Sequence, residues 1–128
     1  MKDIINRKLK GDELSFFYNI LHQLETDDNL KGYSLKRLPK KLRSVLYPNE
    51  GNISKTDELN KVLFKGKGAS DFLRHLRNAF AHCNIIYDKN NNTYILYDEY
   101  RNQYSMYGCV EKEILEKIIT TLINTRKI

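Results

Sequence analysis

Three side chains suited to phosphate and proton chemistry stand within six residues: Arg77, Asn78 and His82. A guanidinium is a permanent cation with a planar fork of donors, and an imidazole changes charge near neutral pH. Their segment, from Asp71 to about Cys83, reads as a helix with Ser70 as its N-terminal cap. At about 100° per residue, with Phe72 at zero, Leu76, Ala79, Phe80 and Cys83 fall within an arc of about 100°, with Leu73 at its edge. That arc is the expected core face. The opposite arc carries Arg77, Ala81, Arg74, Asn78, Asp71, His82 and His75, so groups with acid–base and phosphate-binding capacity share one face.

The same geometry restricts how they can meet. Asn78 and His82, four positions apart, share a ridge. Arg77 and His82 lie about 140° apart, so one chain does not aim both at one spot. Two copies of the helix crossing near small Ala81 about a twofold axis would bring the Arg of one copy to the His of the other. Isologous pairing of this kind is the commonest route to a dimer, so a homodimer with a shared cleft is expected.

The elements that must position this helix are read from periodicity. Asp12 can cap a helix from about Glu13 to Glu25, with Phe17, Ile20, Leu21 and Leu24 on one face. Residues 26–37 read as a polar connection. A short helix starts near Pro39, buries Leu42, Val45 and Leu46, and stops before Pro48. Another is expected from Lys55 to Phe64, ended by Lys65-Gly66-Lys67-Gly68. After the Arg77–His82 helix the period drops to two. Ile85 to Tyr87, Thr93 to Tyr97 and Gln103 to Tyr107 read as strands joined by turns at Asp88–Asn92 and Tyr100–Asn102. A last helix runs from about Val110 to Asn124, striped by Ile114, Leu115, Ile118, Ile119, Leu122 and Ile123. The expected architecture is mainly α: a helical bundle, one domain over residues 1–128, with a small antiparallel β-meander inserted before the C-terminal helix.

Composition bounds the rest. The chain is 41% hydrophobic and 30% charged, ordinary for a globular domain. Its longest apolar runs are a few residues, far below the roughly 20 that span a bilayer, and its N-terminus turns polar at once. Two cysteines make no disulfide framework, so a cytoplasmic setting without a membrane is expected. The net charge of +6 is uneven: residues 31–77 hold 12 Lys/Arg against 4 Asp/Glu, a net of +8, and the remainder 10 against 12, a net of −2. Local excess of this kind suits a phosphate-rich partner as well as a solvated surface.

The segment Leu76-Arg77-Asn78-Ala79-Phe80-Ala81-His82 resembles the signature of the HEPN superfamily: an Arg, a polar residue, a few small or apolar residues, then a His, late in a helical bundle. The strands after it look like those of small bacterial HEPN families. The resemblance implies a metal-independent endoribonuclease that works as a homodimer and needs no cofactor. It implies that His82 acts on the ribose 2′-hydroxyl or protonates the leaving 5′-oxygen. It further implies that Arg77 stabilises charge on the phosphoryl oxygens, that Asn78 orients His82 or the phosphate, and that the product ends in a 2′,3′-cyclic phosphate. A toxin or phage-defence role follows by the same similarity. Relatives lacking the Arg or the His are binding modules, so a non-catalytic dimer that holds a nucleotide, RNA or protein is the alternative. A third reading is a subunit kept silent until an antitoxin or nucleotidyltransferase leaves or modifies it.

Other residues are weighed beside these. Lys31, Lys36, Arg37, Lys40, Lys41 and Arg43 form a basic cluster suited to RNA backbone, and Arg74 extends the phosphate site by one turn. Tyr87, Tyr94, Tyr97, Tyr100, Tyr104 and Tyr107 offer rings for bases, though cross-strand pairing explains them more simply. His75, His82 and Cys83 do not make a closed four-ligand set, so no metal is expected. Gly66-Lys67-Gly68-Ala69-Ser70 lacks the first glycine of a phosphate loop and reads as a loop and cap.

Overall fold

A computed structural model describes residues 6–8, 11–25, 30 and 33–126. Lys31 and most of the connection at 26–32 lie outside them. The chain runs β1 (Asn6–Lys8), α1 (Gly11–Glu25), a 3-10 turn (Leu35–Arg37), α2 (Lys40–Arg43), β2 (Leu46–Asn49), β3 (Lys61–Lys65), α3 (Ala69–Ala81), β4 (Ile85–Asp88), β5 (Thr93–Tyr100), β6 (Gln103–Glu111) and α4 (Lys112–Arg126). The strands form one sheet in the order β1-β4-β5-β6-β3-β2. Neighbours are antiparallel except β2 and β3, which run parallel. The expectation of a mainly α bundle is therefore corrected: the fold is α/β, and its sheet is a full layer rather than an inserted meander.

The physical reasons lie in three segments. Lys61-Val62-Leu63-Phe64-Lys65, expected to end a helix, alternates half-buried and buried along its length. Period two with a β-branched residue favours a strand. Val62 and Phe64 turn inward opposite Gly108 and Met106 of β6. Gly108 is required there, because a Cβ on it would lie 2.6 Å from the Cα of Val62. The helix after Pro39 lasts one turn, and Leu46 enters β2, where Pro48 sits on the outermost strand that tolerates it. Val110, expected to start the last helix, is instead the last inward residue of β6, opposite Tyr94. The expected hairpin over Tyr100–Asn102 is present, with Arg101 and Asn102 both at positive φ, as in a two-residue type I′ turn.

The inward face of the sheet, from Ile85, Tyr94, Leu96, Met106, Val110, Val62 and Phe64, packs with the helices into one core. Helix α3 is the central element, packed on α1 and on β5, β3 and β6. Its Phe72, Leu73, Leu76, Ala79 and Phe80 are essentially inaccessible to solvent. Phe80 stacks on Phe17 of α1 at 5.0 Å, and Phe72 meets Phe64 of β3 at 5.6 Å. Truncating a buried Phe to Ala costs about 3–5 kcal/mol, so α3 is held firmly from both sides. Among the described residues no helix is long and apolar enough to cross a membrane.

Candidate functional site

Helix α3 begins at Ala69 with Gly68, not Ser70, at its cap position. Gly68 has an extended backbone and its carbonyl accepts from the Phe72 amide. The helix stops at Ala81 with a Schellman closure. His82 is the terminal cap residue at φ −97°, ψ 9°, and its amide donates to the Asn78 carbonyl at 3.0 Å. The Cys83 amide donates to Phe80 O at 3.2 Å and the Asn84 amide to Ala79 O at 2.8 Å. Cys83 takes the left-handed conformation this closure needs, φ 58°, where glycine is usual. Asn84 O then accepts from the Tyr97 amide at 3.1 Å, tying the helix end to β5.

This ending corrects one expectation. Cys83, assigned to the core face, is exposed. The angular projection fails there because the helix has already ended and the left-handed turn swings the side chain outward. His82 is exposed on the same turn, and among the described residues its ring makes no hydrogen bond or ion pair.

Arg77 and Asn78 are half-buried. Arg77 Nη2 donates to Asn78 Oδ1 at 3.1 Å, and Asn78 Nδ2 donates to Asp98 Oδ2 on β5 at 3.2 Å. The same Asp98 oxygen lies 2.9 Å from His75 Nδ1, and His75 Nε2 donates to the main-chain carbonyl of Lys65 on β3 at 2.8 Å. His75 was expected on the polar arc, yet it is 6% exposed. On the helical wheel it lies about 60° from Phe72, at the flank of the apolar arc, and β3 and β5 close over that flank. The Lys65 carbonyl can only accept, so Nε2 carries a proton, and one further proton is shared between Nδ1 and the Asp98 carboxyl group. Burial works to raise the Asp98 carboxyl. Bonds from His75, Asn78 and Ser105 outweigh it and hold the group below its ordinary range.

Asn78 therefore has both ends of its amide engaged, one on Asp98 and one on Arg77. Neither of these bonds goes to His82, the ring that the resemblance implies Asn78 could orient. Its place is to connect the buried pair to the guanidinium.

Arg74 is exposed and pairs with Asp71 at 3.5 Å on the helix surface, an interaction worth a fraction of a kcal/mol. Lys36 and Arg37 lie in the 3-10 turn, and Lys40, Lys41 and Arg43 on α2. All but half-buried Arg43 are exposed. The Arg37 guanidinium lies 4.8 Å over the Tyr33 ring, and Arg43 Nη1 donates to Lys36 O at 3.2 Å. The Tyr33 carbonyl accepts from the Ala69 amide at the first turn of α3. The 3-10 turn thus borders the N-terminal end of α3, while His82 stands at the other end of its 13 residues, about 20 Å along the axis, and Lys41 lines a groove with Glu113, Glu116 and Lys117 of α4. One chain thus does not bring the basic residues of the 3-10 turn, Lys36 and Arg37, to His82.

The tyrosines pair across strands. Tyr97 and Tyr107 face each other in register with ring centres 6.1 Å apart, Tyr104 packs on both, and Tyr87 meets Tyr94 at 5.5 Å. Burial pushes the Tyr107 hydroxyl up. Among the described residues no group of three His, Cys, Asp or Glu side chains is placed to hold a metal.

Asp98 is the site residue that motif reasoning missed. A signal was present: alternation along Thr93–Tyr100 puts residue 98 on the same face as Tyr94 and Leu96, and a carboxylate on a core face needs a partner.

Arg77, Asn78 and His82 thus lie at the C-terminal end of the central helix of an α/β domain, and comparison with protein families assigns the domain to a class. The family model described as HEPN pEK499 p136 matches residues 14–125, and the chain belongs to this HEPN family. Comparisons with curated proteins and with solved structures returned no match.

Proposed function

We propose that the chain is a metal-independent endoribonuclease of the cytoplasm, acting as a homodimer in which Arg77 of one copy and His82 of the other converge on one scissile phosphate. Family membership supports the class, since HEPN domains are frequently RNases. The observation that carries the reading is the contrast between the two motif ends. Arg77 is braced through Asn78 to a buried carboxylate, whereas His82 stands exposed on a closed helix end with its ring uncommitted to the described residues. A fixed cation from one copy, brought to a solvent-accessible imidazole of the other, suits phosphoryl transfer, in which the cation meets developing charge and the imidazole moves the proton.

On this reading His82 takes the proton of the 2′-hydroxyl or returns one to the 5′-oxygen, and a 2′,3′-cyclic phosphate remains. Arg77 neutralises the phosphoryl oxygens, and Asn78 holds Arg77. Arg74 and the cluster Lys36, Arg37, Lys40, Lys41 and Arg43 hold RNA backbone away from the cut. The physiological setting is a toxin or phage-defence effector, with an antitoxin or nucleotidyltransferase as its regulator.

The test is incubation of the purified chain with end-labelled RNA in EDTA, beside His82→Ala and a measurement of mass in solution. Cleavage by a dimer, lost in His82→Ala with the fold intact, is expected. Cleavage that needs a divalent ion, or that survives in His82→Ala, overturns it. Salt-sensitive binding with no cleavage makes the protein a binding module instead.

A further inference from the structure

The buried pair of His75 and Asp98 is an expensive way to hold a helix to a sheet. Polar groups taken out of water lose hydration that their mutual hydrogen bond only partly returns, and apolar side chains of similar volume usually serve stability as well. The pair lies at the flank of an apolar layer that already fixes α3 through Phe72, Leu76 and Phe80. Its distinguishing feature is the third bond: the Asp98 oxygen that meets His75 also accepts from Asn78.

That bond sets the polarity of the Asn78 amide. With Nδ2 on the carboxylate, Oδ1 points to the Arg77 guanidinium. The flipped amide would set its oxygen against a carboxylate and its NH2 against a guanidinium, and both contacts are repulsive. The other end of the relay is the Lys65 carbonyl, a main-chain group of β3. Arg77 is thereby referenced, through three side chains, to the backbone of the sheet.

We propose that Asp98 and His75 are positioning residues for Arg77: the carboxylate fixes the orientation of Asn78, and His75 fixes the carboxylate. The proposal rests on the nuclease reading for its catalytic consequence and on the hydrogen-bond geometry alone for the placement of Arg77.

The experiment has two readouts on the full chain. In RNA cleavage, Asp98→Asn lowers kcat at least tenfold while KM moves less than twofold, after correction for the folded fraction. Asp98→Asn added to Asn78→Ala produces no further loss, because Asp98 acts through Asn78. A merely structural role makes the two losses multiply, and that result overturns the proposal. The second readout is the guanidinium resonance of Arg77 in nitrogen-labelled protein. Asp98→Asn shifts it and speeds rotation about the Nε–Cζ bond, whereas His82→Ala leaves it in place. An unchanged Arg77 signal in folded Asp98→Asn overturns the proposal whether or not RNA is cut. Failure of the wild type to cut RNA overturns the nuclease reading alone, and the Arg77 signal then decides the placement.

Discussion

His75 Nδ1 and Asp98 Oδ2 lie 2.9 Å apart with both side chains less than a tenth exposed, and they join α3 to β5. Breaking such a pair on one side leaves a charge buried without its partner, which costs about 3–5 kcal/mol. His75→Ala should therefore lower unfolding stability by about 3 kcal/mol or more. The double variant His75→Ala/Asp98→Ala should recover part of the loss, since no orphaned carboxylate remains. Urea denaturation of the three proteins measures both. A loss below about 1 kcal/mol in the single variant is the size of an exposed pair and would contradict the buried one.

The depressed Asp98 group fixes the sign of an acid effect. Its folded value lies below its unfolded one, which is about 3.9. The stability it contributes is fully present above the unfolded value and is lost as pH falls through the folded value. Its surroundings are His75 and Asn78 from α3 and Ser105 from β6, with His75 bonded in turn to the Lys65 carbonyl of β3. Wild-type stability should fall on acidification below about pH 4, and Asp98→Asn should show a shallower fall over that interval. Denaturant midpoints across the interval test this. Equal slopes for the two proteins would remove Asp98 as the group responsible.

How much of this was readable beforehand depended on the range of the interactions. Helix α1 and the apolar stripe of α4 follow from local period, and so does the hairpin of β5 and β6. β2 and β3 did not, because four- and five-residue strands leave too few alternations to compete with a helical reading of Leu42–Leu46 and of Lys55–Phe64. Their parallel pairing is non-local, and a central sheet position is conferred on β3 by β6, some 40 residues later. The same division runs through the site. Arg77, Asn78 and His82 are neighbours on one helix and visible as a motif. The partnership of His75, Asn78 and Asp98 exists only when β5 lies under α3 in one register. The helical wheel also assumed a helix continuing to Cys83, and the Schellman closure ended it two residues earlier.

That closure makes a prediction about the cysteines. Cys83 is exposed, while Cys109 on β6 is partly buried and its thiol is pushed up by burial. A thiolate is the reactive form, so a disulfide reagent should label one thiol per folded chain quickly and the second slowly. Cys83→Gly should abolish the fast phase. It should also raise stability by up to about 1 kcal/mol, because glycine takes the left-handed conformation without the penalty a side chain carries. Thiol kinetics and thermal unfolding read the two effects separately. A destabilised Cys83→Gly would mean that the thiol makes contacts worth more than the strain.

The basic cluster leads to a prediction about salt. Lys40 and Lys41 are exposed on α2, and Lys41 borders a groove with Glu113, Glu116 and Lys117 of α4. If they hold phosphates of a single strand, each releases counterions on binding, with a slope of about −0.7 per contact in log K against log salt. Replacing both by Gln should weaken RNA binding and flatten the slope by about 1.4. A solvated lysine pair that touches no phosphate would leave the slope unchanged. Fluorescence anisotropy with labelled RNA over a range of salt measures it, best in a His82→Ala background so that the RNA stays intact.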